Sequence, residues 1–345
     1  QRIVIRNPSD APFDGFIEFA PWLERPVSFD LELSDFKLID EKGKEVITQP
    51  VPDPGPAKFP YRMFRLKLKG KETRTLRIAF ENPAKPKVWK EQSISSAVNK
   101  LGFGISLGQT ASTVISKGRQ LPLPDLQLIP DGSDTWTHLF DRYLEGPAET
   151  PAWSAPFILH SGPVATAFSR IGRLDGQELR QDFLVPADEE FYEFNLRVDW
   201  LSKLKILKLV LPFNAQAVKR IDGSAVGRGL ERKLSGAELP LCDWTLLEFE
   251  DGSKIGVVCP GILAADADER RLRLTLLRSP LMANHIPAQP AASNATYSDH
   301  GVQTFRVGFD YSKGVSEKTL SARALSWLRP PLCGDLTKGM PPRMH

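Results

Sequence analysis

The stretch FYEFNLRVDWLSKLKILKLVLPF, Phe191 to Phe213, decides the fold. In its first half Phe194, Leu196 and Val198 fall on one side and Asn195, Arg197 and Asp199 on the other, the period of two of a half-buried strand. A turn and a second strand follow, so the pair reads as a hairpin. In the second strand Leu204 and Ile206 point one way and Leu207, Leu209 and Leu211 the other, giving a C-terminal half that is apolar on both sides until Pro212 stops the pairing. A strand buried on both faces needs one sheet beside it and another layer above.

The flanking sequence supplies both. Phe64, Leu66 and Leu68 alternate with Arg65 and Lys67, and Leu76, Ile78 and Phe80 repeat the pattern after Gly70-Lys71, which predicts a second hairpin. Val51 to Pro60 holds four prolines that cannot donate to a ladder and reads as a surface loop. Leu247 and Phe249 run into Asp251-Gly252 and return through Ile255 to Cys259, a third hairpin. Leu272, Leu274 and Leu276 alternate with Arg271, Arg273 and Thr275, as do Phe305, Val307 and Phe309 with Thr304 and Arg306. No helical period persists beyond about two turns after Gln92. The expectation is an all-β chain. A small immunoglobulin-like sandwich spans residues 1–90, ending in a linker at Asn82 to Lys90. A large two-layer antiparallel sandwich spans 91–330, and 331–345 form an exposed, proline-rich tail.

The totals narrow the function. At 345 residues the chain is long for a single core. A net charge of +3, spread along strands, argues against nucleic acid, and no apolar run nears the roughly 20 residues of a spanning helix, so no membrane role is expected. Cys242, Cys259 and Cys333 are odd in number and lack CxxC spacing, which suggests free thiols in a reducing, cytoplasmic setting. The chain opens on Gln1, so a preceding segment removed by processing is compatible with it.

Motifs for phosphate, dinucleotide, serine-nucleophile or HExxH zinc chemistry are absent from the sequence. His138, His160, His285, His300 and His345 are scattered, with no HxH or HxD pair. Two polar clusters break the strand background. Ser133-Asp134-Thr135-Trp136-Thr137-His138 is either a capped turn or a sugar-facing loop, where an aromatic plate sits beside carboxylate and imidazole groups. Alternation places Arg278 on the core face with Leu272, Leu274 and Leu276, where a guanidinium must meet a carboxylate, a carbonyl row or a ligand. Asp299-His300-Gly301 forms a polar turn, and Glu189-Glu190 reads as a solvated acidic pair.

The order of these signatures resembles the C-terminal β region of glycoside hydrolase family 38, the α-mannosidases. It rests on Val198-Asp199-Trp200, KILKLVLPF, Gly227-Arg228, Glu238-Leu239-Pro240, Trp244, LRLTLLRSP from Leu272 to Pro280, and Asp299-His300-Gly301 with Phe305. Asn7-Pro8, Thr48-Gln49-Pro50 and SDTWTHLFDRY from Ser133 to Tyr143 are similar to its bacterial members. The resemblance implies a small sandwich followed by a supersandwich related to galactose mutarotase, both lying after a catalytic barrel and a helical bundle. It also implies that the zinc ligands, including a His-x-Asp pair, and the aspartate nucleophile belong to that barrel, so no cofactor and no catalytic residue is expected here. The resemblance also leads to the expectation that the last small β segment of the family is missing after Pro331. Arg278, Asp299, His300, Trp136, His138 and Asp134 would form the rim of a mannoside cleft. The expected partners are the catalytic barrel and carbohydrate, with homo-oligomers compatible. A stand-alone sugar-binding module, or a mutarotase using His138 or His300 with Asp134 or Asp299, is the alternative. A purely structural interaction domain is a third.

Overall fold

The computed structural model describes residues 1–23, 35–52, 59–81, 95–108, 112–135, 142–143, 148–225, 227–282 and 295–336. Among these, strands dominate and fall into five antiparallel sheets. The expected all-β class is what the chain adopts. The expected linker at Asn82 to Lys90 lies outside the described residues, as does the middle of the Val51 to Pro60 loop.

The first sandwich packs a five-stranded sheet on a three-stranded one. The larger sheet runs in the order Leu332–Leu336, Arg2–Arg6, Thr73–Phe80, Phe36–Ile39, Glu45–Val46, and the smaller Phe13–Phe19, Arg62–Leu68, Thr48–Pro50. Ile3, Ile5, Leu76 and Ile78 on one inner face meet Ile17, Phe19, Phe64 and Leu66 on the other. Two expectations fail here. The strands Arg62–Leu68 and Thr73–Phe80 do not pair with each other; they sit in opposite sheets. A hairpin and a layer-to-layer arch show the same alternation and turn residues, and only the partner strands tell them apart. The start of the expected tail is not exposed coil either, and residues 337–345 lie outside the described residues. Leu332–Leu336 pairs with Arg2–Arg6 and buries Cys333, bringing the chain back onto its first sheet.

The second unit is a sandwich whose back layer is a ten-stranded sheet. At its centre lie Gln177–Pro186, Phe191–Trp200, Gly301–Asp310 and Lys254–Val258. Two smaller sheets cover its inner face. One has five strands, including Asp125–Pro130, Lys205–Pro212, Arg271–Arg278 and Ala264–Ala267; the other has four, from Ser96 to Pro122. Phe194, Leu196 and Val198 meet Leu207, Leu209, Leu211, Leu272 and Leu274 across the gap.

The decisive stretch is therefore also an arch. Phe191–Trp200 belongs to the back layer and Lys205–Pro212 to the cover, and Leu204 turns the corner with φ of 54°. The arch is pinned where Trp200 Nε1 donates to Ser279 Oγ. The third expected hairpin does form: Trp244–Phe249 pairs with Lys254–Val258 around Gly252, whose φ of 76° suits a residue without Cβ.

One helix occurs among the described residues, Glu317–Leu328, and the sequence period did not reveal it. Ser316 caps it, with Thr319 completing a reciprocal box, and Leu320, Ala324 and Trp327 repeat at steps of four and three. Only two of those three are buried outright, so the apolar stripe is narrow. That stripe covers Ile221, Trp244, Leu246 and Val258 on the outer face of the back sheet.

The two sandwiches share a packed seam. Val51 and Met63 of the first meet Val164 and Ala165 of the second, with Phe16, Tyr61 and Leu184 around them. Gln49, buried, reads the backbone of the second unit: its Oε1 accepts from the N–H groups of Val164 and Ala165, each at 2.9 Å, and its Nε2 donates to Ala165 O at 3.0 Å. A Cβ on Gly162 would come 2.7 Å from that Oε1, so the close approach depends on glycine.

Candidate functional site

Four of the polar residues singled out in the sequence, Arg278, Asp134, Asp299 and His300, converge on one end of the five-stranded covering sheet. Arg278 ends the strand Arg271–Arg278, but not on the face that strict alternation assigns. Leu207 pairs with Leu277 and the next residue, Lys208, pairs with Thr275, leaving Leu276 as an extra residue in a bulge. A bulge shifts parity by one and re-aims the side chains beyond it. Arg278 therefore points away from the core, on the side of Arg273 and Thr275, while Leu276 and Leu277 both stay in the core.

There the guanidinium is fixed by the loop after Pro130. Its Nε donates to Asp131 Oδ2 at 2.7 Å, and its Nη2 donates to Ser133 Oγ and, at 3.1 Å, to Asp134 O. Asp131 is 1% exposed and is itself oriented by Ser133, whose N–H and Oγ–H both donate to Oδ1. Nη1 of Arg278 makes no hydrogen bond to a described residue. The result is a guanidinium held in one rotamer with a donor to spare, which is how a rim group is pre-set for a ligand oxygen.

Asp299 and His300 complete the end of the sheet. Asp299, at φ of 60°, accepts from the Arg278 backbone N–H at 3.0 Å, and Ser298 Oγ donates to Arg278 O at 2.7 Å. The His300 ring pairs its Nε2 with Ser202 O at 2.9 Å and lies 5.8 Å from the Tyr297 ring, nearly parallel. Asp134 bridges to Leu281 alongside. Four of the six expected rim residues, Arg278, Asp299, His300 and Asp134, are thus brought together. Trp136 and His138 lie outside the described residues.

Behind the rim lies a network that sequence reasoning missed. Lys208, read as part of an apolar face, is fully buried on the outer side of its strand. Its Nζ donates to Glu238, to Asp266 Oδ2 at 2.8 Å and to Thr275 Oγ1 at 2.7 Å, while Arg273 Nε donates to Asp266 Oδ1 at 2.6 Å. The face is buried as expected, but by ion pairing and not by leucine. Burial opposes the Asp266 carboxylate, yet Lys208 and Arg273 outweigh it and hold the group below the ordinary range. Tyr143 roofs the network, 5.1 Å from Lys208 Nζ and 5.9 Å from the Arg278 guanidinium, and burial pushes its hydroxyl up to about 12. The available signal was a lysine inside LKLVL, out of phase with the leucines.

Glu189 also departs from expectation. It is not solvated: Arg65 of the first sandwich approaches at 2.8 Å and Arg323 of the helix at 2.6 Å, so it ties three elements together.

No protein-family model matches the sequence, and no curated protein matches it. Solved structures do share its architecture. A protein in glycosyl hydrolase family 38 from Enterococcus faecalis superimposes with a TM-score of 0.68 at 12% identity, over 98% of this chain and 47% of its own. An alpha-mannosidase from Enterococcus faecalis V583 gives 0.67 at 12%, over 98% and 46%. The shared property is the fold. This chain spans about half the length of those structures. Among the described residues no group of three His, Cys, Asp or Glu side chains is placed to hold a metal ion. No described helix is long and apolar enough to cross a membrane.

Proposed function

We propose that this chain is the non-catalytic β portion of an α-mannosidase-like glycoside hydrolase, and that the Arg278 end of its covering sheet lines the mannoside cleft of a catalytic barrel carried elsewhere. The observation that carries the reading is the superposition: nearly all of this chain, but about half of each family 38 structure, is accounted for. The convergence of Arg278, Asp134, Asp299 and His300 at one sheet end supports it.

In this reading the chain supplies orientation and not bond cleavage. Arg278, steadied by Asp131 and Ser133, offers Nη1 to a sugar hydroxyl, and the buried Lys208 network behind it keeps the sheet end rigid. The barrel supplies zinc and both carboxylates. The protein acts in the cytoplasm on a mannoside, with its barrel as obligate partner and no nucleic acid or membrane involved. Sequencing the coding DNA upstream of Gln1 tests this. An open frame encoding a barrel with a His-x-Asp pair supports the reading, and a stop and start codon directly before this chain, with no barrel gene alongside, counts against it.

A further inference from the structure

A second polar groove opens far from Arg278, at the other end of the strand Asp125–Pro130. Asp125 and Asp131 bracket that strand, which places the two sites about 20 Å apart at ~3.3 Å per residue. The groove, of about 730 Å³, lies where the two covering sheets part over the edge of the back sheet, and Trp153, Arg170, Asp125, Ser112, Thr150 and Ser154 are among its walls.

Trp153 is half-buried and held in place. Its Nε1 donates to Asp125 Oδ1 at 3.1 Å, and a Cβ on Gly172 would come 2.4 Å from its ring, so the strand beneath is cut away to seat the indole. Arg170 stacks on the ring at 4.1 Å. This arginine is 4% exposed. Its Nε donates to Gln181 Oε1 and its Nη1 to Ser112 Oγ at 3.4 Å, but its Nη2 has no hydrogen-bond acceptor among the described residues, and neither does Gln181 have one for its Nε2. Asp125 Oδ1 stands 3.7 Å from Nη2, too long for a hydrogen bond. A buried guanidinium with an unmet donor is costly and calls for an acceptor. Asp125, whose side chain is 46% exposed, keeps Oδ2 free of donors from described residues.

We infer that this groove is a second binding site, for a neutral saccharide, with Trp153 as the platform for one sugar ring and Asp125 with Arg170 gripping adjacent hydroxyls. The Arg170 and Asp125 charges balance, and the open carboxylate oxygen repels an anion, so a polyol that both donates and accepts fits better than a phosphate or a sulfate. A pyranose has an apolar face for the indole and a hydroxyl edge for the ion pair. The site does not depend on the role given to Arg278.

Titration calorimetry on the full chain with mannotriose, maltotriose and cellotriose tests this, with inorganic phosphate as the anionic control. Saturable binding of at least one trisaccharide is expected, weakened at least about tenfold in Trp153→Ala and in Thr150→Trp, which fills the groove from its exposed lip, and unchanged in Lys37→Ala, a partly exposed position of the first sandwich. Thermal melting checks that each variant is folded, and Thr150→Trp decides the matter if Trp153→Ala does not fold. Absence of saturable saccharide binding, binding indifferent to Thr150→Trp, binding lost in Lys37→Ala, or tighter binding of phosphate than of any saccharide overturns the inference.

Discussion

Gln49 Nε2 donates to His160 Nδ1 at 2.7 Å, joining a strand of the first sandwich to the back sheet of the second inside a buried seam. The contact requires neutral imidazole, because a protonated Nδ1 would turn a donor against a donor. Burial lowers the His160 pKa from 6.5 to about 4. Between those values the unfolded chain binds a proton that the folded chain refuses, so stability rises with pH across that window and levels off above it. Chemical denaturation should show a loss of up to about 3 kcal/mol of stability from pH 7 to pH 4 through this group. His160→Gln should flatten that part of the profile.

The Lys208 network predicts strong non-additivity. Lys208→Met leaves the buried Asp266 and the half-buried Glu238 without their ammonium partner, and should cost about 3–5 kcal/mol. Lys208→Met with Glu238→Leu removes one orphan and leaves Asp266 with Arg273, so the double variant should unfold at higher denaturant than Lys208→Met alone. Equal or additive losses in a double-mutant cycle would show the network to be uncoupled.

Arg278 and Asp131 form a pair buried on the carboxylate side. Arg278→Ala should lower stability by about 2–3 kcal/mol, because Asp131 keeps only its contacts to Ser133. Arg278→Lys should recover part of that but lose the fork that spans Asp131 and Ser133. Urea denaturation of both variants measures the difference.

Much of this was legible in the sequence, and the failures have physical causes. Alternation identified the apolar face of strands such as Arg62–Leu68 and Phe191–Trp200, since burial of one face fixes the period. It could not say whether neighbouring strands lie side by side or face each other. Arg62–Leu68 with Thr73–Phe80, and Phe191–Trp200 with Lys205–Pro212, both read as hairpins and both span the layers. Only the Asp251-Gly252 turn, whose chemistry demands a two-stranded ribbon, was read correctly. The consecutive leucines Leu276-Leu277 were the trace of the bulge that turns Arg278 outward. Lys208 defeated the pattern because its charge is neutralised by Glu238 from a loop and Asp266 from another strand, which leave no local mark.

The central claim is that this polypeptide shapes a mannoside cleft whose reacting groups come from another. Incubating the purified chain with zinc and an aryl α-mannoside tests it most directly. The account predicts no release of the aryl alcohol above a heat-denatured control. Turnover that follows zinc, disappears with a chelator and copurifies with this chain alone would contradict it.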